Sequence, residues 1–144
     1  MKAALQVALA LSLVSLTGCE MKKTAEGLRV EIRPEAAAAL KKELMPLLVA
    51  KGFHSANENG SYFAVYYLAR PPAYRPTLYA FFGEDHSFLI GKLTTDFTPS
   101  EVAIIDECAA IITSHADSII SGRLVKGATT PALRERFYAR IKKT

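Results

Sequence analysis

The sequence contains few of the residue patterns by which enzymes are usually identified. It has no GxSxG, no phosphate-cradling glycine loop, no HExxH and no CxxC. The motifs that activate a nucleophile, bind a nucleotide phosphate or hold zinc are therefore missing. Its three histidines, His54, His86 and His115, are scattered along the chain. We predict a non-enzymatic protein with no catalytic residue, no metal and no nucleic-acid partner.

Cysteine is also scarce, since only Cys19 and Cys108 occur in 144 residues. Cys108 precedes His115 by seven positions on a predicted helix, which corresponds to about 10.5 Å of helical rise. That distance is too long for neighbouring ligands of one metal ion. Because Cys108 also lies on an apolar stripe, we expect a buried thiol with a raised pKa and not a nucleophile.

Charge of both signs is present in ordinary amounts, but it is unevenly placed. Charged residues make up 22% of the chain, hydrophobic residues 50%, and the net charge is +4, which is typical of a globular domain. From position 123 to the C-terminus, Glu135 is the one acidic residue, against Arg123, Lys126, Arg134, Arg136, Arg140, Lys142 and Lys143. This basic end indicates either a solvated helix face or attraction to anionic lipid or polymer.

The first residues have the pattern of a secretory signal. Lys2 supplies a positive start, and Ala3 to Leu16 is apolar apart from Gln6, Ser12 and Ser15. As a helix this segment would span about 21 Å, which is short of the roughly 30 Å hydrocarbon core of a membrane. The length is therefore typical of a signal peptide and not of a membrane span.

The residues that follow, Leu16-Thr17-Gly18-Cys19, resemble the lipobox of bacterial lipoprotein precursors. In that family the signal peptidase recognises the aliphatic residue and the two small residues, cuts before the cysteine, and the cysteine carries a diacylglyceryl group and an amide-linked acyl chain such as palmitate. The resemblance implies that Cys19 carries a covalent lipid, the only cofactor we expect, which anchors the protein stably to a membrane. Enterobacterial lipoproteins that stay in the inner membrane commonly carry aspartate directly after the lipidated cysteine. This chain has Glu20 at that position, so the resemblance favours the periplasmic face of the outer membrane.

The lipobox also divides the chain. Residues 1–18 are predicted to be the signal peptide, 19–27 a lipidated tether, and 28–144 a single domain. If Cys19 is acylated, Cys108 has no partner in the chain, so no intrachain disulfide is expected.

Periodicity within the domain predicts alternating strands and helices. We expect strands over residues 28–33, 53–56, 61–69, 77–82 and 87–94. A first helix is expected from Pro34, with a kink or stop at Pro46. A long helix should run from the capping box Thr98-Pro99-Ser100-Glu101 to Gly122, and a last helix should begin at Thr130-Pro131. The predicted class is α+β: a two-layer fold with an antiparallel sheet of four to five strands, packed by two longer helices, with a short C-terminal helix.

Two groups of residues are candidates for partner binding. The first is a tyrosine-rich side of the sheet, assigned to Tyr62, Tyr66 and Tyr79, with Lys92 on the same side. Its alternative interpretation is that the last helix covers this side. The second group is the proline-rich stretch from Arg70 to Pro76, with Arg70, Tyr74 and Arg75 as anchors on a stiff loop, or simply a connector.

These features predict a lipid-anchored periplasmic module that binds or assembles with an envelope protein or polymer. In anchor and element order the chain is similar to small envelope-assembly lipoproteins. The alternative is a periplasmic inhibitor or immunity protein that acts against a cell-wall-attacking enzyme.

Overall fold

The computed structural model describes residues 26–59, 63–70, 75–94 and 96–144. Within these ranges the strands are β1 (Glu26–Ile32), β2 (His54–Asn59), β3 (Phe63–Arg70), β4 (Arg75–Phe82), β5 (Ser87–Lys92) and β6 (Ile119–Leu124). The helices are α1 (Pro34–Ala50), α2 (Pro99–Ser114) and α3 (Pro131–Arg140), and a 3₁₀ turn (Ala116–Ser118) follows α2.

All the described strands belong to one antiparallel sheet, in the order β2-β3-β4-β5-β1-β6. The α+β class with helices packed on an antiparallel sheet is therefore confirmed. The sheet has one strand more than the expected maximum, because β6 forms from residues that the sequence pattern assigned to a helix end and a connector. β1 lies between β5 and β6, so the first strand of the domain is held on both sides.

The hydrophobic core lies between the helices and one side of the sheet. Alternate residues of the central strands point into it, and each helix contributes an apolar stripe, as strand and helix periodicity require. Its members include Leu28, Val30, Leu78, Ala80, Phe82, Phe88 and Ile90 from the strands and Leu44, Leu48, Ile105, Ile112 and Phe137 from the helices. In the part of the chain that the structure describes, the core residues lie between Leu28 and Ile141. α2 contacts both α1 and α3 and therefore lies between them.

α1 continues through Pro46 to Ala50, so the helix does not stop at the proline. Proline cannot donate the backbone hydrogen bond of this position, which destabilises a helix interior. Leu44 and Leu48 on either side of it are fully buried. Their packing against the sheet holds the turn in place despite the missing bond.

α2 begins as predicted and ends earlier than predicted. The amide N–H of Glu101 donates to Thr98 Oγ1 at 3.3 Å, and the amide N–H of Thr98 donates to Glu101 Oε1 at 2.8 Å, which confirms the capping box. The helix ends at Ser114 and not at Gly122. Ile119, whose apolar side chain extended the helical stripe, instead pairs with Ile32 in the sheet.

The outer edge of β6 is covered by the C-terminal part of the chain. Gly122 donates its N–H to the carbonyl of Lys142 at 2.8 Å and accepts from the N–H of Thr144 at 2.9 Å. The hydroxyl of Tyr138 accepts from the N–H of Leu124 at 2.7 Å and donates to its carbonyl at 3.3 Å. These bonds occupy polar groups that would otherwise allow another strand to pair with the edge.

Candidate functional site

The described residues of the proline-rich candidate stretch lie where the β3–β4 ladder ends. β3 extends to Arg70 and β4 begins at Arg75, so Arg70, Arg75 and Pro76 of the predicted stretch belong to strands and not to a loop. Arg70 and Arg75 are cross-strand partners, the last pair of the ladder. Residues 71–74, including Tyr74, lie outside the described residues. The fold thus brings together the two arginines of this candidate site at one hairpin end.

Pro76 belongs to β4, although the strand was predicted to begin at residue 77 and Pro76 was assigned to the loop before it. It pairs with Ala69 next to a register shift between Leu68 and Ala69. Proline is tolerated at such a bulge because the ladder bonding is interrupted there. The strand therefore starts closer to the loop than the proline content indicates.

The tyrosines predicted to share one side of the sheet are not grouped in that way. The β3–β4 register aligns position 66 with Ala80 and position 67 with Tyr79. Cross-strand partners lie on the same side of a sheet, and Ala80 belongs to the core beneath the helices. Position 67, and not position 66, is the partner of Tyr79. Tyr62 lies outside the described residues.

Tyr79 lies on the side of the sheet that faces away from the helices. Its ring is half-buried and lies 6.4 Å from the ring of Phe81, centroid to centroid. Burial raises the pKa of the Tyr79 hydroxyl. Phe81 and Leu89 on the same side are only 3% and 2% exposed. The centre of this side is therefore not the open surface that we expected.

Lys92 was predicted to lie with these tyrosines, but it contacts the helix layer. Its Nζ forms a 2.8 Å ion pair with Glu101 Oε1 at the start of α2, and it lies 5.6 Å from the ring centroid of Phe97. The prediction failed because strand alternation shows which residues share a side within one strand, whereas the register between strands decides which residues share a side of the sheet.

His115 and Cys108, two side chains that could in principle serve as a metal ligand or a nucleophile, take part in an ion pair and in the hydrophobic core. His115 Nε2 lies 2.6 Å from Glu43 Oε2 and so links the end of α2 to α1. In the described parts of the chain, no three His, Cys, Asp or Glu residues are grouped so that they could hold a metal ion. Cys108 is fully buried, as its position on the apolar stripe predicted, and it is a free cysteine.

The burial of Cys108 should be detectable in the rate at which a thiol reagent labels it and in the pH dependence of stability. It raises the pKa of the thiol to about 12, with a smaller effect from the neighbouring Glu107. We expect a thiol reagent to label the native protein far more slowly than the protein in denaturant, because the thiolate is the nucleophile. The thiol ionises near its ordinary value of 9.0 when unfolded, so stability should fall as the pH rises from about 9 towards 12. Rapid native labelling at neutral pH would contradict the burial.

A groove between α2 and α3 is a candidate site that the sequence did not indicate. Its α2 wall consists of Ala110, Thr113 and Ser114. Its α3 wall consists of Leu133, Arg136, Ala139 and Arg140, and the groove has a volume of about 380 Å³. In the sequence the groove is indicated only by Arg136 and Arg140, which lie four residues apart in the basic end. Helix periodicity alone does not show which helix packs beside them.

The chain matches no protein-family model, no curated protein and no solved structure. The lipobox residues Leu16, Thr17, Gly18 and Cys19 lie outside the described residues. Among the helices that the structure describes, none is long and apolar enough to cross a membrane.

Proposed function

We propose that the chain is a lipid-anchored, non-enzymatic binding or assembly module of the bacterial cell envelope. Its support is the order of a positive start, a short apolar segment and the sequence Leu16-Thr17-Gly18-Cys19. The lipid on Cys19 holds the folded domain at the periplasmic face of the outer membrane, and the charged residues that precede β1 form the tether. The partner is an envelope protein or polymer.

The pairing of Arg70 with Arg75 is the observation that carries the binding role. Positions 70 and 75 are directly opposite each other in the ladder, and like charges at such positions in general repel each other and disfavour the pairing. A partner with acidic groups would offset this repulsion when it binds at the hairpin end. Tyr74 lies between the two arginines in the sequence, and arginine and tyrosine are frequent anchors of protein interfaces. Pro71 and Pro72 lie between the two arginines in the sequence, and proline limits the conformational entropy that a segment loses on binding.

The test is a pull-down from solubilised membranes with the full chain and three variants of it. The wild type should recover a resident envelope component, whereas Arg70→Gln with Arg75→Gln should lose it. The thermal midpoint of this double variant should be unchanged or higher, because the substitution removes a like-charge pair. A Cys19→Ala form should lose incorporation of labelled fatty acid and its processing by the lipoprotein signal peptidase.

Lys42→Gln with Lys126→Gln is the matched control, since both lysines are exposed and lie outside the hairpin. Equal recovery by the hairpin variant and this control would refute the hairpin as the binding surface. Equal fatty-acid labelling of the wild type and Cys19→Ala would refute the lipid anchor. Recovery of a secreted cell-wall hydrolase in place of a resident component would support the inhibitor or immunity alternative.

A further inference from the structure

The groove between α2 and α3 combines apolar surface with two cations. Ala110, Leu133 and Ala139 contribute the apolar part, and Arg136 and Arg140 lie one turn apart on α3. Residues four positions apart are neighbours on a helix surface, so the two guanidinium groups can act on one ligand. The groove is therefore suited to a ligand with a negative group beside an apolar part.

The two arginines have no acidic counterpart in the part of the chain that the structure describes. None of the residues lining the groove is acidic, and no described residue forms an ion pair with Arg136 or Arg140. The hydroxyls of Thr113 and Ser114 donate to carbonyl oxygens of their own helix, at 2.7 and 2.6 Å. The guanidinium groups are thus the donors that the groove offers to a ligand.

The other flank of α3 is also positive. The guanidinium carbon of Arg134 lies 5.2 Å from the ring centroid of Tyr138, and Lys143 Nζ lies 5.6 Å from it. The Tyr138 hydroxyl is bonded to the backbone of Leu124, so the ring that holds these cations is itself fixed to β6. α3 therefore presents positive charge on both flanks and the groove on one of them.

We propose that this groove binds the phosphate group of an anionic phospholipid, so that α3 faces a membrane surface. Guanidinium groups bind phosphate through paired N–H donors. The adjacent apolar residues fit the glycerol and the first acyl carbons. An acidic protein is the less suitable occupant, because its backbone would need further hydrogen-bonding groups and the hydroxyls of the groove are already engaged. The proposal concerns a different surface from the β3–β4 hairpin and does not depend on the lipid at Cys19.

The test measures co-sedimentation of residues 20–144 with phosphatidylcholine vesicles that contain or lack phosphatidylglycerol. This segment contains every core residue among those that the structure describes, and a cooperative thermal transition checks that it is folded. The wild type should bind the anionic vesicles at low salt and dissociate as salt is added. Arg136→Gln with Arg140→Gln should weaken binding about 30-fold, equivalent to about 2 kcal/mol for two cations near an anionic surface.

Two further variants decide whether binding to the anionic vesicles depends on the groove or only on the net charge of the protein. Lys42→Gln with Lys126→Gln removes the same charge outside the groove and should have a much smaller effect. Ala110→Gln with Ala139→Gln fills the groove at exposed positions without changing the charge, and it should also weaken binding. Equal losses from the two charge variants, or full binding by the filled groove, would overturn the proposal. Capture of polyglutamate without any vesicle binding would overturn it as well.

Discussion

Replacing Phe137 with alanine is expected to lower the free energy of unfolding by about 3–5 kcal/mol. Phe137 is fully buried and comes from α3, a helix of only ten residues, so its ring is a large part of what holds the helix on the sheet. The loss should lower the thermal midpoint by roughly 10 °C or more for a domain of this size. Glu135→Ala on the exposed side of the same helix is the matched control and should change stability little.

Gly122 of β6 shows how closely this ring approaches the strand. A Cβ at position 122 would lie 2.6 Å from Phe137 Cζ, 3.0 Å from Val30 Cγ1 and 3.1 Å from Ile141 Cγ2. Gly122→Ala alone should therefore cost about 1–3 kcal/mol through overpacking. In the Phe137→Ala background this cost should shrink, because the nearest obstacle is gone. Strictly additive losses in urea unfolding would show that α3 does not pack on Gly122 as described.

Local signals in the sequence predicted the parts of the fold that depend on local physics. The capping box of Thr98 and Glu101 needs only residues three apart, and both of its hydrogen bonds are present. The α+β class followed from alternating strand and helix periods. The burial of Cys108 followed from its place on the apolar stripe of α2. Each of these properties is largely decided by neighbours along the chain.

Long-range pairing decided what the sequence could not predict. The apolar residues from Ile111 to Ile119 fit a continuing helical stripe, but Arg33 donates its backbone N–H to the carbonyl of Ser118 at 2.8 Å and the chain turns into β6. Likewise, the grouping of Tyr66 with Tyr79 required a register between β3 and β4. A shift of one residue reverses every side assignment, and strand alternation does not determine it.

Of the two candidate sites, one could be predicted from residues close in sequence, whereas the other depends on long-range packing. Arg70 and Arg75 are close in sequence, so a hairpin between two predicted strands was enough to bring them together. The groove required α3 to pack beside α2, which no pattern within either helix determines. Arg136 and Arg140 were visible as part of a basic end, but the apolar residues beside them come partly from a segment more than twenty positions away.

Replacing Glu101 with alanine is expected to lower the free energy of unfolding by about 3–5 kcal/mol, the usual cost of breaking a buried ion pair. The side chains of Glu101 and Lys92 are only 6% and 16% exposed, and their charged atoms lie 2.8 Å apart. Without the carboxylate, the Lys92 ammonium still lies near the Phe97 ring, and the one acidic partner left to it among the described residues is Asp96, whose carboxylate is 4.0 Å away and largely exposed. The amide N–H of Thr98 also loses its acceptor.

Two companion variants separate the ion pair from the helix cap in urea unfolding. Thr98→Ala removes the capping hydroxyl but leaves the ion pair, and it should cost about 1 kcal/mol. Lys92→Met with Glu101→Gln replaces both charges, keeps an acceptor for Thr98, and should cost far less than Glu101→Ala, because no unpaired charge remains buried. If this double variant loses as much stability as Glu101→Ala, the charge pair itself stabilises the junction of β5 and α2, and desolvation of an unpaired lysine is not the cause.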